Sequence, residues 1–292
     1  MCIRDRHLVD GSSKTVPSPH YQSAMIDDVV RYCQTKQILG VDTETEGFDF
    51  TTKKMIMFQI GDENQQFVID TRRVSIEPLR NILQNKNIIK IFHNAKFDLA
   101  FFEYHFGFSF PKFEDTMLLH YCLDEVPGGH GLKQLAMEHT DYGDYEKPMH
   151  DWIDRYKKQN RILKADFTWD SIPFEVMKTY AAMDAVVTLL VFEKLYPAVR
   201  KNPKLFSVYE NILIPGCRFL TDVQDHGVPF DKDRLLKGRD LMQADIDEAV
   251  DQLYEFDAVK RFEDVKQKEF NPNSTCLLYT SDAADDTPCV DL

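Results

Sequence analysis

Residues 38–45 have the sequence ILGVDTET, and this stretch decides the fold. Its apolar start, residues 38–41, is typical of a buried strand. The two acids that follow are two positions apart, and side chains at that spacing on a strand point to the same face of the sheet. Asp42 and Glu44 should therefore project together. Because adjacent carboxylates repel one another, they need a compensating cation, and Mg²⁺ or Mn²⁺ prefers such oxygen ligands.

The segments around this strand alternate between strand and helix patterns. Further strands are expected at residues 55–60, 66–69 and 87–92, with a hairpin turn at 61–64 joining the first two. Helices are expected at residues 23–34, 76–83, 95–106, 116–123, 132–139 and 174–195, the last closed by Pro197. This order predicts an α/β fold, in which a mixed β-sheet is flanked by helices and followed by a helical C-terminal extension.

The composition excludes several classes of protein. The 292 residues are 43% hydrophobic and 28% charged, as in ordinary globular domains. No apolar run approaches the roughly 20 residues that span a bilayer, and the N-terminus lacks the apolar core of a signal peptide. We therefore expect no membrane contact and a cytoplasmic location, in a bacterial cell or a phage-infected host. Six scattered cysteines are expected to be free thiols.

The net charge of −13 is unusual for a protein that binds nucleic acid. Residues 1–220 carry 30 acidic and 27 basic side chains, whereas residues 221–292 carry 18 acidic and 8 basic ones. The acidity therefore belongs mainly to the C-terminal part. The total charge neither supports nor excludes DNA binding.

Two later segments add acids to the pair on the strand. Asn94 is a plausible helix N-cap, which places Asp98 in the first turn, where the helix dipole favours an anion. Tyr180 and Asp184 are four residues apart in the long helix and so share one face. Each segment alone is also compatible with an ordinary structural role: solvated acids at a strand end, a capped helix, or a tyrosine packed at the edge of the core.

In this order, the three segments resemble the motifs of the DEDD exonuclease superfamily. They are VDTETEG at 41–47, HNAKFD at 93–98 and YAAMDA at 180–185, the last with the Tyr-x-x-x-Asp spacing of the tyrosine variant. Residues 115–118 (DTML), Trp169 and Ile172-Pro173 are similar to the proofreading domain of family A DNA polymerases. The resemblance covers residues 21–274. It implies an RNase H-like fold and 3′→5′ exonuclease activity.

The resemblance also implies a role for each site residue. Two divalent ions, Mg²⁺ or Mn²⁺, would be held by Asp42, Glu44, Asp98 and Asp184, with Asp42 bridging them. Tyr180 would orient the attacking water, since its ordinary pKa near 10 makes it a poor base. Asp115 is expected to support the fold. The histidines at 93, 120, 130, 139 and 150 lack zinc-ligand spacing, and none is predicted to be a ligand.

The implied substrate is a single-stranded DNA 3′ end, bound by a monomer. Thr43, Asn94 and Phe97 are the candidate substrate-binding residues. Stacking of bases on aromatic side chains is a further expectation, with the candidates Phe48, Phe97, Tyr142 and Tyr145. Basic side chains between Arg155 and Lys164 could follow the phosphates, although a solvated helix face explains them equally well.

Four segments are expected along the chain. Residues 1–6 and 276–292 are unlike the rest and are expected to be a non-native leader and tail. Residues 7–203 should form the exonuclease domain. Residues 204–275 resemble the entry into a polymerase module, which would be the partner of this domain in a longer chain. The catalytic part of that module is absent, so no DNA synthesis is expected.

Two other functions remain open. An RNase D-like or Werner-type exonuclease would act on RNA or as a stand-alone nuclease. A non-catalytic module with an RNase H-like fold would bind nucleic acid without cleaving it. The polymerase-like segment argues against the first, and the complete set of four carboxylates argues against the second.

Overall fold

The computed structural model describes residues 5–9, 22–163 and 167–274, without the side chains of residues 5, 170, 175, 179 and 180. The described residues up to Gly227 form one compact unit, and those from Val228 onward form a second. The first unit contains the sheet and every residue predicted to belong to the active site.

The described strands belong to one mixed sheet. They are β1 (Asp5–Val9), β2 (Gln22–Ser23), β3 (Ile38–Thr45), β4 (Met55–Gly61), β5 (Gln65–Asp70), β6 (Ile89–Phe92) and β7 (Phe113–Asp115). Their order across the sheet is β2-β1-β5-β4-β3-β6-β7. The neighbours β3, β4 and β5 are antiparallel, whereas β6 is parallel to β3 and β7 is parallel to β6. The predicted mixed sheet and hairpin are confirmed.

Helices flank this sheet in the first unit. They are α1 (Ile26–Cys33), α2 (Arg80–Leu83), α3 (Ala95–Phe106), α4 (Thr116–Leu123), α5 (Leu132–His139), α6 (Lys147–Asn160), α7 (Phe174–Arg200), α8 (Pro203–Val208) and α9 (Ile214–His226). Every residue of β4 is buried, which indicates that both faces of the sheet are covered there.

The long helix α7 does not end where the sequence predicted. Pro197 lies inside the helix, which continues to Arg200. A proline removes one amide donor, but its carbonyl still accepts a hydrogen bond from the amide of Lys201. The prediction that Pro197 closes the helix was wrong because the loss of one bond in the last turn does not end it.

Gly40 allows α7 to lie close to the sheet. A Cβ atom at this position would overlap the carbonyl oxygen of Ala185 and contact the side chain of Leu189. Only glycine leaves room for so close a backbone approach. As a result, the acid at position 184 lies directly over the strand that carries Asp42.

The first unit includes described residues on both sides of the boundaries that the sequence suggested, residues 7 and 203. Asp5 and Arg6, in the supposed leader, pair with β5 as part of β1. Helices α8 and α9 belong to the first unit, although the predicted division fell at residue 203. Tyr209 explains this attachment: it is fully buried, and its hydroxyl accepts a hydrogen bond from the Asp115 amide at 3.0 Å.

The second unit consists of two described helices, α10 (Lys232–Glu255) and α11 (Asp257–Lys266). The hydroxyl of Tyr254 donates to the carbonyl of Phe270, which packs beside it. Several large apolar side chains of α10 are exposed, as at Leu235 and Met242. The tail, residues 276–292, lies outside the described residues.

Two predictions from composition can be compared with the described part of the chain. None of its helices is long and apolar enough to cross a membrane. Cys33, Cys122 and Cys217 are free thiols, as expected, and the other three cysteines lie outside the described residues.

Candidate active site

The pleat of β3 places Asp42 and Glu44 on the same face, as predicted. Both are half-buried, whereas Val41, Thr43 and Thr45 between and beside them are buried. The two carboxyl groups face a pocket of about 270 Å³, to which Asp184, Glu146 and His93 also contribute. This pocket is the candidate active site.

Helix α7 brings a third carboxylate to the strand. Asp184 is 6% exposed, and it lies one residue before Ala185, whose carbonyl oxygen lies against Gly40. Carboxylate oxygens of Asp42, Glu44 and Asp184 all lie within 4.8 Å of one another. Three of the four predicted metal ligands therefore come together, although 140 residues separate the strand from the helix position.

Asp98 is the fourth carboxylate and lies in the first turn of α3. It is 3% exposed, and its Oδ1 accepts a hydrogen bond from Thr43 Oγ1 at 2.6 Å. Burial raises the pKa of Asp98 to about 7, although the hydrogen bond from Thr43 opposes this shift. Thr43, predicted to contact substrate, thus orients a neighbouring acid and also lines the pocket.

Asp115 fixes the start of the helix that carries Asp98. Its carboxylate accepts hydrogen bonds from the amides of Ala95 and Asn94 at the start of α3, at 2.7 and 3.2 Å. It also caps α4, through the amides of Met117 and Leu118. This agrees with its predicted supporting role. Asn94 has the expected N-cap position, but its side chain makes no capping bond, so Asp115 satisfies the amides instead.

The electrostatics of the pocket favour a bound cation. Burial raises the pKa of Asp42 well above its ordinary value, and the charges of Asp98 and Glu44 raise it further. Burial and the charge of Asp42 likewise raise the pKa of Asp184 well above its ordinary value. Carboxylates held this close together repel one another, and a bound cation would relieve that repulsion. Their oxygen ligands fit a hard divalent ion.

A tyrosine that the sequence suggested only as a stacking residue contacts the acids directly. Tyr145 Oη donates to Asp184 Oδ1 at 2.5 Å. Burial and the charge of Asp184 raise the pKa of Tyr145 well above 10, so its hydroxyl remains a donor. Glu146, the next residue, adds another carboxyl group to the pocket. Sequence reasoning missed both roles because this segment before α6 has no fixed spacing to any motif. The predicted Tyr180 lies in α7, but its side chain is outside the described residues.

The other candidate substrate residues are not among the described residues that line the pocket. Asn94 is exposed. Phe97 is half-buried and forms an edge contact with Phe48, which is 80% exposed. Tyr142 instead packs against the apolar core around α7. Phe48 and Phe97 therefore form an aromatic pair in which the Phe48 ring is exposed.

Helix α6 contains most of the basic segment. Arg155 and Lys158 are exposed, whereas Lys157 lies 4.6 Å from the centre of the Phe167 ring. Lys164 is outside the described residues. On the same helix, the rings of Trp152 and Tyr156 stack at 4.9 Å. A positive charge beside aromatic rings is compatible with single-stranded nucleic acid, but a solvated helix face remains an alternative.

Comparison with known proteins identifies the family of this chain. Residues 19–200 match the 3′-5′ exonuclease family model of family A DNA polymerases. A DNA polymerase of Escherichia phage T5 is 39% identical over 85% of this chain, and DNA polymerase I of Rhizobium leguminosarum is 29% identical over 55% of it. The chain spans 28% and 15% of these relatives.

A solved structure supports the fold independently of these sequences. Escherichia coli RNase D, an exoribonuclease involved in structured RNA processing, superposes with a TM-score of 0.52 at 19% identity. The match covers 70% of this chain and 49% of that one. At this identity the likeness concerns the fold alone, and it confirms the predicted RNase H-like architecture. The family match over residues 19–200 shows that the chain belongs to the 3′-5′ exonuclease domains of family A DNA polymerases.

Proposed function

We propose that this chain removes nucleotides from the 3′ end of single-stranded DNA with the help of two Mg²⁺ ions. The observation that carries the proposal is the convergence of Asp42, Glu44 and Asp184, with Asp98 adjacent, in one pocket. Asp42, Glu44 and Asp184 would hold one ion. Asp98 and Asp42 would hold the second. When bound, such a pair of ions supplies a nucleophile at neutral pH and neutralises charge on the attacking and leaving oxygens.

The protein's own residues position the reacting groups. Thr43 and Tyr145 each donate a hydrogen bond to one of the acids, which fixes the direction of the carboxylate oxygens. Because its pKa is raised, Tyr145 cannot serve as a base near pH 7. Tyr180 is proposed to orient the attacking water from its place on α7, one turn before Asp184.

The aromatic surface near the pocket is compatible with a flexible single strand. Phe48 and Phe97 could stack against the terminal bases, and each stacked base stabilises such complexes by about 1–3 kcal/mol with little sequence preference. Helix α6 provides a second surface that combines aromatic rings with a positive charge, formed by Trp152, Tyr156 and Arg155. DNA is proposed as the substrate because the related sequences are named DNA polymerases.

The wider role follows from the relatives and is also a proposal. In a full-length chain, this domain would remove misincorporated nucleotides from a primer produced by a polymerase module. It would act as a monomer in the cytoplasm of a bacterial cell or phage-infected host. Residues 228–274 would belong to the start of that module.

A comparison of DNA and RNA degradation tests this function. Single-stranded DNA and RNA oligonucleotides of one sequence, labelled at the 5′ end, are incubated with the chain in Mg²⁺ or in EDTA. We expect a ladder of progressively shortened DNA in Mg²⁺, slower loss of RNA and no products in EDTA. Preferential digestion of RNA would favour the RNase D-like alternative. Binding of DNA without cleavage would favour the non-catalytic module.

A further inference from the structure

Three histidines with no regular sequence spacing meet beside the active site. His120 lies on α4, His139 is the last residue of α5, and His130 lies in the loop between these helices. Ligand atoms of His120, His139 and the adjacent Glu138 all lie within 4.8 Å of one another. The Nδ1 atoms of His120 and His130 are 2.8 Å apart. No spacing in the sequence predicts this cluster.

Burial makes the cluster unusual. His120 is 6% exposed. The Nε2 atoms of His130 and His139 are shielded from solvent and have no hydrogen-bond partner among the described residues. A buried imidazole nitrogen without a partner is unfavourable, and native proteins usually satisfy such atoms. The unpaired nitrogens therefore point to a ligand.

Hydrogen bonding between the rings does not account for the whole cluster. The contact between His120 and His130 uses one nitrogen of each ring, with one ring donating and the other accepting. It leaves His139 Nε2 unsatisfied. A ring that binds a metal ion through one nitrogen commonly engages a fixed partner through the other, which sets its tautomer and direction. His130 is suitably placed to be that partner of His120.

We propose that His120, His139 and Glu138 form a zinc site, in which His130 holds the ring of His120 in place. Two imidazoles and one carboxylate are a known ligand set for zinc, and imidazole ligands favour zinc over magnesium. The site is distinct from the pocket of Asp42, Glu44 and Asp184, whose ligands are all oxygens.

The position of the zinc site suggests a structural effect on the exonuclease pocket. An ion bound to His120 and His139 would connect α4 to the end of α5 and close the loop at residues 124–131. The residue after this loop, Leu132, lines the active-site pocket. Binding of zinc should therefore stabilise the wall of that pocket without taking part in the hydrolysis.

Zinc binding to the complete, untagged chain tests the proposal. The metal-free protein is titrated with Zn²⁺ against a chromophoric chelator, in millimolar Mg²⁺ so that the carboxylate pocket is occupied. We expect one tightly bound Zn²⁺ per chain and a rise in the melting temperature. Co²⁺ in place of Zn²⁺ should give the visible absorption of a four-coordinate site.

Substitutions distinguish this site from the carboxylate pocket. His139→Gln should abolish tight zinc binding, and Glu138→Gln should weaken it by at least tenfold, on the order of effects seen at such sites. Both residues are at least partly accessible, and circular dichroism verifies that the variants fold. The control Asp42→Asn should bind zinc like the wild type. Failure of the wild type to bind Zn²⁺, or equal binding by His139→Gln, would overturn the proposal.

Discussion

Tyr145 donates its phenolic hydrogen to Asp184 at 2.5 Å, and this bond joins the segment before α6 to the acid that α7 places over the sheet. The bond orients a carboxylate that would bind metal, and it involves a side chain outside the three sequence motifs. The site thus extends beyond the residues that define the family resemblance.

Removal of this hydroxyl should slow hydrolysis. A hydrogen bond to a charged group contributes about 1.5–3 kcal/mol, so Tyr145→Phe should lower kcat by roughly 10-fold or more. KM should change little, because the bond orients a ligand rather than the substrate. Single-turnover rates on labelled DNA measure the effect. Tyr104→Phe, which removes an exposed hydroxyl from α3, is the control and should retain the wild-type rate.

Gly40→Ala should destabilise the protein and separate the acids. The added Cβ would overlap the Ala185 carbonyl, and such overpacking typically costs about 1–3 kcal/mol. Urea denaturation measures the loss. Gly216→Ala is the matched control: this glycine lies within α9 with open space around its Cβ position, so alanine should stabilise the helix by up to about 1 kcal/mol. Equal stability of Gly40→Ala and the wild type would show that α7 does not need this close contact.

Asp115→Ala should remove the caps of two helices at once. With about 1–2 kcal/mol for each cap, the free energy of unfolding should fall by roughly 2–4 kcal/mol. Activity per folded molecule should also fall, because Asp98 lies in the first turn of α3. Asn202→Ala removes the cap of α8 alone and should cost about half as much. A larger loss from Asn202→Ala would contradict this assignment.

Without metal, the wild type should be less stable than the variant Asp184→Asn, which has one acid fewer. In EDTA, Asp184→Asn should raise the melting temperature, because it removes one of several buried like charges and retains an acceptor for Tyr145. With Mg²⁺, the wild type should gain more stability than the variant. Calorimetry in EDTA and in Mg²⁺ measures the melting temperatures of both proteins. If Asp184→Asn melted at a lower temperature than the wild type in EDTA, repulsion among the acids would not be destabilising the metal-free protein.

Because Lys90 is buried, the free energy of unfolding should vary with pH in the alkaline range. Burial lowers its pKa to about 8 from 10.5, so between these values the unfolded chain holds a proton that the folded protein lacks. The contribution of Lys90 to the free energy of unfolding therefore increases as the pH rises from 8 to 10.5, by at most about 1.4 kcal/mol per pH unit. Lys90→Met should remove this contribution, which denaturation of both proteins across that range would detect. Parallel pH profiles would contradict the shift.

The sequence predicted those features of the site that arise from local spacing. The pleat of a strand determines that Asp42 and Glu44 share a face, whatever the rest of the fold. The assignment of Asp98 to the site depended on the family resemblance, because a single acid in the first turn of a helix is common in proteins of any function. The mixed sheet and its hairpin were also predicted, because apolar runs and turn residues mark them directly.

Contacts between distant segments were not predictable in the same way. Tyr145 meets Asp184 only because α6 and α7 pack beside the same sheet, and no spacing in the sequence encodes that meeting. His120, His130 and His139 converge because α4 and α5 both pack against α7. Asn94 is a residue type that commonly caps helices. Here, however, Asp115 on β7 accepts the hydrogen bonds from the amides at the start of α3.

The rate of DNA hydrolysis by Asp42→Asn/Glu44→Gln tests the central claim most directly. The double variant keeps the shape of β3 but removes two charges from the proposed metal ligands. Glu63→Gln, an exposed acid in the β4–β5 turn, is the matched control. We expect shortening of 5′-labelled single-stranded DNA in Mg²⁺ by the wild type and the control, and a loss of at least 100-fold, on the order of 3 kcal/mol, in the double variant. Unchanged digestion by the double variant would contradict the assignment of the active site.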